Sequence, residues 1–273
     1  MKRTLLRALA RHVKLVSWLA VLGWLAWIAG AISSGRPFRF GWLGTLFLIF
    51  VATALYGAWV ASRQRMEIRE GRLPVVLKRK LREQLPKLAA KDADLVERGF
   101  RQFFLACSRS QGRYVAMPSK VVDAYWHAFI LDTKGYADWC DRTLGRFLHH
   151  VATERLGSDA KANDGLRRAW FWSCKEEAID PRKPSRLPLL FALDAKLGID
   201  GGVVYSPASR PKLEPAVAAA GADVSYGGDF ADPSYAGDAD AMGGVDGGGD
   251  GDGGGDGGGG GDGGGGGCGG GGD

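Results

Sequence analysis

Two long apolar stretches dominate the first 62 residues. Only beyond them do apolar residues alternate with polar ones at the three- to four-residue spacing of an amphipathic helix. Residues 15–33 and 41–61 contain no charged side chain. Helices of this length span roughly 30 Å, the thickness of the hydrocarbon core of a bilayer. Neither stretch has the polar face of a helix on the surface of a soluble domain. We therefore expect a two-helix transmembrane hairpin over residues 1–62.

Basic residues flank this hairpin on both sides. Five of them precede the first apolar stretch and eight follow the second one between residues 63 and 82, whereas the link between the stretches contains two. An excess of Lys and Arg marks the cytoplasmic side of a membrane helix. The sequence therefore predicts a multi-pass protein of the inner (cytoplasmic) membrane, with both termini in the cytoplasm.

Two other interpretations of the apolar stretches are open from sequence alone. The small residues Ala29, Gly30 and Ala31 resemble the cleavage site of a secretory signal peptide, and cleavage there would leave the second stretch as the anchor. Alternatively, the two stretches form a buried hairpin in the core of a soluble domain, although such helices normally have a polar face.

Residues 63–91 form a basic segment that is interrupted by Gly71, Pro74 and Pro86. We expect one or two short juxtamembrane helices against anionic lipid headgroups, to which each Lys or Arg adds about 1 kcal/mol of attraction. A solvated connector describes the segment equally well. Nucleic acid is not expected as a partner, because the segment lacks the aromatic side chains that stack on bases.

Helical periodicity characterises residues 92–205, which predict a helical globular domain of ordinary size. Five helices are expected, and alternating strand patterns are scarce, with residues 203–205 as the one weak candidate. The fold class is therefore all-α. The expected helix starts are a capping box at Asp94 and Glu97, then Ser119, Thr133, Asp164 and Pro188.

The C-terminal part of the chain differs in composition. Residues 206–242 have the composition of a linker, and residues 243–273 are almost wholly Gly and Asp. Such a segment buries too little apolar surface to offset the entropy of ordering, so residues 206–273 are predicted to be disordered. The net charge of +6 hides a split, because residues 221–273 contain eleven Asp and no Lys or Arg. The preceding body of the chain is therefore strongly basic.

Reactive side chains are concentrated in residues 118–150. Asp123 lies four residues before His127 on the same helical face, where its carboxylate would orient the imidazole rather than act as a ligand itself. Imidazole and thiolate groups together suit Zn²⁺. The candidate metal ligands are His127, Cys140, His149 and His150.

Two alternatives to a zinc site stay open. Imidazole and thiol groups also suit a Cys140 nucleophile with a histidine base. The second alternative is a structural role for these residues. Cys140 shares an apolar face with Tyr136 and Leu144, and the spacing of the cluster matches no zinc signature. No catalytic residue is assigned from the sequence. The four cysteines form no CxxC pair and are expected to be free thiols in the cytoplasm.

A set of residues in this region forms a pattern typical of a known family: Pro118, Ser119, Val122, Asp123, Trp126, His127, Leu131, Asp132, Thr133, Tyr136, Cys140, Gly145, His149 and His150. On these residues the region resembles the bacterial members of the glycine-rich domain-containing protein family, whose related domain also occurs in plant proteins. Residues 187–205 and the Gly-rich C-terminus are similar to those members too, although their tails are often richer in Cys than this one, which has only Cys268. The resemblance covers roughly residues 95–205 and implies the fold without supplying a reaction.

Together these features predict a membrane-anchored interaction or scaffold protein whose helical domain binds an unknown protein partner in the cytoplasm. The acidic tail would act as a docking or solubilising arm, or as an electrostatic cover for the basic body. The alternative is a zinc-type metal-binding protein, or a Cys/His-dependent enzyme or sensor, at the cytoplasmic face of the membrane. The lipid bilayer is a partner in either case.

Overall fold

A computed structural model describes residues 13–36, 40–150, 160–207 and 224–226. The described part of the chain is mostly helical, with eight helices and two short strands, which confirms the helical prediction in outline. The helices are α1 (Val13–Ser33), α2 (Gly41–Glu70), α3 (Val76–Gln84), α4 (Ala90–Arg109), α5 (Lys120–Ile130), α6 (Thr133–Thr143), α7 (Ala160–Glu176) and α8 (Leu189–Leu197). The strands are β1 (Val204–Ser206) and β2 (Val224–Tyr226).

The apolar helices α1 and α2 pack against each other as a hairpin. The indole Nε1 of Trp24 donates a hydrogen bond to Thr45 Oγ1 at 2.9 Å, and the rings of Trp27 and Trp42 meet edge-on with centroids 5.7 Å apart. Both helices are long and apolar enough to cross a membrane, and almost none of their apolar surface is buried within the protein. The structure thus does not bury these helices as a core hairpin of a soluble domain requires.

The second apolar helix does not end at the predicted boundary near residue 62. It continues without a break to Glu70, and its last turns are polar and dock on the globular domain. Ile68 is fully buried, the Arg142 guanidinium lies 3.1 Å from Glu67 Oε1, and Arg101 donates to the Ile68 carbonyl at 2.7 Å. One rigid helix therefore connects the apolar hairpin to the domain.

The interpretation of residues 63–91 as a solvated connector is wrong, although the segment does contain a short helix, α3, as expected. Leu77 and Leu81 of α3 are fully buried in the same hydrophobic core as Ile68 and the aromatic residues of α4, and Leu88 is nearly so. Their helical spacing is visible in the sequence, but the many basic residues between them obscure it. The globular domain consequently begins near Ile68, inside α2, rather than at residue 92.

Helix α4 is the centre of this domain and contacts α2, α3, α5, α7 and α8. Its side chains at helical spacing form an aromatic core with α5 and α6. The ring centroids of Phe103 and Trp126 are 5.1 Å apart, and those of Phe104 and Trp139 are 6.2 Å apart. Burial of such large rings is the main favourable contribution to folding, and here it also fixes the position of α5, the helix that carries the candidate site.

Some predicted helix starts are confirmed and others shift. Ser119 caps α5, accepting from the Val122 amide at 3.3 Å, and Pro188 precedes α8. At α6 the cap is Asp132, whose carboxylate accepts from Gly135 N, rather than Thr133. The capping box at Asp94 and Glu97 is wrong. Helix α4 starts at Ala90, where Asp92 accepts from the Ala89 amide, while Asp94 and Glu97 instead bind Lys78.

The all-α prediction misses one small sheet. β1 and β2 pair in parallel, with Val204 opposite Val224 and Ser206 opposite Tyr226. β1 nearly coincides with the weak strand candidate at 203–205, whereas β2 lies inside the region that was predicted to be disordered. Tyr205 anchors the pair, because its ring is buried and packs on Phe191 of α8 with centroids 4.9 Å apart. The other residues of the predicted tail lie outside the described residues.

Gly165 on α7 allows a close approach to the loop before α5. A Cβ atom at this position would lie 2.6 Å from Tyr114 Cε1 and 2.9 Å from the backbone nitrogen of Ala116. We therefore expect Gly165→Ala to lower the free energy of unfolding by about 1–3 kcal/mol, as overpacking does elsewhere. Thermal unfolding in detergent tests this against Gly30→Ala, where a Cβ meets nothing within 4 Å. Equal midpoints for the two variants would contradict the expectation.

Candidate metal site

Helix α5 positions the first two residues of the site. Asp123 and His127 are four residues apart, so their side chains lie one helical turn apart on the same face. The start of this helix is fixed by Asp194 of α8, which is almost fully buried. Its carboxylate accepts from Ser119 Oγ at 2.7 Å, and also from the amides of Lys120, Val121 and Val203 at 2.7, 3.1 and 3.0 Å.

The third residue, His150, reaches the site from the irregular segment that follows α6. The buried Tyr136 hydroxyl fixes this segment, because it accepts from the Trp126 indole at 3.0 Å and donates to the Leu148 carbonyl at 2.5 Å. The His150 ring then packs edge-on against Trp126, with centroids 4.7 Å apart. A core tyrosine thereby links α5 to the segment that carries His150.

The Asp123 carboxylate lies within hydrogen-bond distance of both imidazole rings. His150 Nε2 is 3.0 Å from Asp123 Oδ1, and His127 Nδ1 is 3.2 Å from Oδ2. His127 Nδ1 is also 2.9 Å from the Asp123 backbone carbonyl. The centroids of the two rings are 4.2 Å apart. Each residue offers one ligand atom, and these three atoms all lie within 4.8 Å of one another.

This cluster lies in the wall of a cavity of about 660 Å³ between α5, the loop before it and the segment after α6. The side chain of His127 is 52% exposed, that of Asp123 31% and that of His150 23%. The site is therefore open to small molecules but shielded on the side of Trp126. A cavity of this size is typical of sites for small ligands.

The other two sequence-predicted ligands, Cys140 and His149, do not join this cluster. Cys140 is fully buried beside Tyr136 and the backbone of Leu148. His149 also lines the cavity, but its ring packs on Phe147, with centroids 4.8 Å apart. Two of the four predicted ligands, His127 and His150, thus come together with Asp123, which the sequence suggested only as an orienting partner.

Burial raises the pKa of the Cys140 thiol, against the weaker opposing effects of hydrogen bonds from Leu148 and Tyr136. The thiol is therefore mostly protonated near neutral pH, and a thiolate is needed for nucleophilic attack. We expect iodoacetamide to alkylate Cys140 in the folded protein at pH 8 at least about tenfold more slowly than in guanidinium-unfolded protein. Peptide mass spectrometry measures both rates, and equal rates would revive the nucleophile hypothesis.

The remaining described cysteines are also buried free thiols, as the sequence predicted. Desolvation raises the pKa of Cys174 to about 12, and burial raises the pKa of Cys107 as well. Cys107 lies at the cavity wall. At neutral pH these thiols are therefore inert packing groups. Cys268, which is also predicted to be a free thiol, lies outside the described residues.

Two imidazoles and one carboxylate form a ligand set that borderline metals accept. Catalytic zinc sites use three protein ligands of this kind and keep a fourth position for water or substrate. Non-haem iron(II) sites use two histidines and one carboxylate on one face of the ion. Here the cavity lies beside the three side chains, so the open side of a bound ion would face a space that a small ligand can enter.

Comparison with known proteins identifies the family of the domain. Residues 63–229, more than half of the chain, match the model of the family described as UCP032817-like. The chain belongs to the UCP032817-like family. No curated protein and no solved structure matches it. The residues matched by the UCP032817-like family include the whole cluster at Asp123, His127 and His150, and they begin within α2 and end after β2, which agrees with the extent of the folded domain.

Proposed function

We propose that this protein is a membrane-tethered metal-binding protein whose UCP032817-like domain holds one transition-metal ion of the zinc type through Asp123, His127 and His150. The observation that carries the proposal is the convergence of one carboxylate and two imidazoles within 4.8 Å at the wall of an open cavity. Their chemistry, rather than any sequence signature, favours a metal over a purely structural role.

The way the fold supports these residues argues in the same direction. The described hydrogen bonds that fix the cluster come from buried groups, namely Asp194 at the start of α5 and the Tyr136 hydroxyl at the segment before His150. Rigid support behind the ligands is what a metal site requires.

Three protein ligands and an open side suit a site that acts on a small molecule better than a closed structural site. A zinc ion with one free position lowers the pKa of bound water to about 7 and polarises carbonyl or phosphoryl oxygens. We therefore favour an enzyme or a sensor of a small ligand over a purely structural metal protein. Cys140 is not part of this proposal, because it is buried away from the three ligands.

We further propose that the domain works at the cytoplasmic face of the inner membrane. The basic residues on both flanks of the apolar hairpin support this orientation, and α2 runs unbroken from the apolar stretch into the domain. Arg69, the last residue but one of α2, has its Nε 2.8 Å from Glu176 Oε1 of α7. Such a short connection would hold the metal site close to the lipid surface, where anionic headgroups attract the basic body.

Metal analysis of the full chain tests the proposed function. The chain is purified in detergent under reducing conditions with a tag that contains no histidine, and metals are counted by inductively coupled plasma mass spectrometry. We expect about one equivalent of zinc or iron per chain, retained in Cys140→Ser, which removes a thiol outside the cluster. A folded but metal-free protein that also fails to take up added Zn²⁺ would overturn the proposal.

The interaction or scaffold role stays a prediction, because it depends mainly on the acidic tail, most of which lies outside the described residues. It is tested by removing residues 230–273, which leaves the family-matched region intact. Unchanged partners in a crosslinked pull-down after this truncation would contradict it. The resemblance to glycine-rich domain-containing proteins likewise stays a prediction.

A further inference from the structure

The cavity beside the metal cluster is lined by more positive than negative charge. Arg113, Lys120 and Arg146 all line it, whereas Asp123 is the one carboxylate among the described residues of its wall. A metal ion bound to Asp123 would neutralise that carboxylate and add further positive charge. The electrostatic potential of such a cavity favours an anionic ligand.

The three basic residues approach the cavity from separate parts of the chain. Arg113 follows a tight turn after α4, in which Gly112 has a φ of +93° and the Arg113 amide donates to the Ser110 carbonyl at 2.9 Å. Arg146 lies in the segment that leads to His150. Lys120 starts α5.

These basic residues are not equivalent. One of them is a lysine, Lys120, whose ammonium donates to the Asp200 carbonyl at 2.9 Å, and the other two are arginines. Arg113 and Arg146 are both exposed residues of the cavity rim. Their planar guanidinium groups bind carboxylates and phosphates with paired hydrogen bonds, which a lysine cannot do.

The rest of the wall is apolar or aromatic. Phe103, Met117, Trp126 and Val203 contribute to it, so the cavity can accept an uncharged hydrocarbon or aromatic body as well as a charged group. Its volume of about 660 Å³ exceeds what an inorganic anion alone would fill.

We infer that the cavity binds a small organic anion, a carboxylate or phosphate ester with an apolar body. Its anionic group would lie between Arg113 and Arg146, and its apolar part would lie against Trp126 and Phe103. The inference rests on the proposed function, because the anion would share the cavity with the metal and occupy its open side. It adds the ligand class, which the metal cluster alone does not define.

Isothermal titration calorimetry with phenyl phosphate tests this inference. The full chain is placed in nanodiscs of zwitterionic lipid, so that lipid charge does not concentrate the probe. We expect Arg113→Gln and Arg146→Gln each to weaken binding at least about tenfold, the usual cost of losing a hydrogen bond to a charged group. The matched control is Arg98→Gln, an exposed position on α4 outside the cavity, which is expected to leave the affinity unchanged.

Zinc content of the same samples separates the two proposals. One equivalent of zinc in every variant, with phenyl phosphate affinity lost only in the two cavity variants, supports both. One equivalent of zinc without phenyl phosphate binding overturns the inference and leaves the proposed function intact. Phenyl phosphate binding that depends on Arg113 and Arg146, in a chain that takes up no zinc, overturns the proposed function and leaves the anion site intact. An equal loss in Arg98→Gln, or equal affinity for inorganic phosphate, contradicts a specific site for an organic anion.

Discussion

Asp123→Asn is expected to abolish metal binding, lowering zinc affinity by more than about a hundredfold, since even residues that only support a ligand contribute 10- to 100-fold. The side chain keeps its size and its place on α5, so the change is chemical rather than steric. An amide offers one neutral oxygen, whereas the carboxylate offers an oxygen to each of His127 and His150. The affinity is measured by competition with a chromogenic zinc chelator.

Asp138→Asn is the matched control, because this exposed residue on the neighbouring helix α6 undergoes the same change outside the cluster. We expect it to retain wild-type zinc affinity. If Asp123→Asn also bound zinc with wild-type affinity while the His127 and His150 variants did not, Asp123 would only orient an imidazole, as the sequence alone suggested. Circular dichroism on both variants verifies that the helices are intact.

Asp194→Ala is expected to cause the largest loss of stability, about 3–5 kcal/mol. The carboxylate is almost fully buried and accepts four hydrogen bonds, three of them from backbone amides. Its removal takes the acceptor from two buried donors, Ser119 Oγ and Val121 N, and from two partly buried amides, and each buried unpaired group costs about 1–3 kcal/mol. It also removes the negative charge that stabilises the N-terminus of α5, the helix that carries Asp123 and His127.

The thermal unfolding midpoint in detergent measures this effect, with Asp200→Ala as control. Asp200 belongs to the loop after α8, and its carboxylate forms an exposed ion pair with Lys87 at 3.2 Å, so its removal should change stability little. Equal midpoints for the two variants would show that Asp194 does not hold α5 in place. A destabilised Asp194→Ala is expected to lose metal affinity as well, because the cluster depends on the position of α5.

The helices of the domain were largely predictable because apolar residues recur at helical spacing and capping residues precede them. The beginning of the domain was not predictable in the same way. The composition changes from apolar to basic near residue 63, and this change suggests a boundary. Helix α2 nevertheless continues through it to Glu70, since a helix can pass from an apolar to a polar environment. Ile68, Leu77 and Leu81 are then buried by contacts with α4 and α5, which no local pattern specifies.

The site was predictable only as far as one helix extends. The spacing of Asp123 and His127 places both side chains on one helical face, and this was correct. His149 and His150 were equivalent in sequence, because they follow α6 in a segment without regular spacing. In the structure His149 packs on Phe147, whereas His150 meets Trp126 and His127. That choice is made by tertiary contacts, above all those of the Tyr136 hydroxyl.

Cys140 shows that residue type alone was a poor guide to the members of the site. Its residue type suggested a metal ligand or a nucleophile, while its position on the apolar face of α6 suggested the core. The structure buries it completely. Position on a helical face was thus a better guide than residue type, since a thiol packs as a small apolar side chain at least as readily as it binds a metal.

The most direct test compares the two adjacent histidines. His149→Gln and His150→Gln make the same change one residue apart, in the same segment, but only His150 belongs to the cluster with Asp123 and His127. Zinc stoichiometry is measured on both full-length variants and on the wild type after dialysis against micromolar zinc. We predict one equivalent in the wild type and in His149→Gln, and none in His150→Gln. Equal zinc content in the two variants would contradict the site.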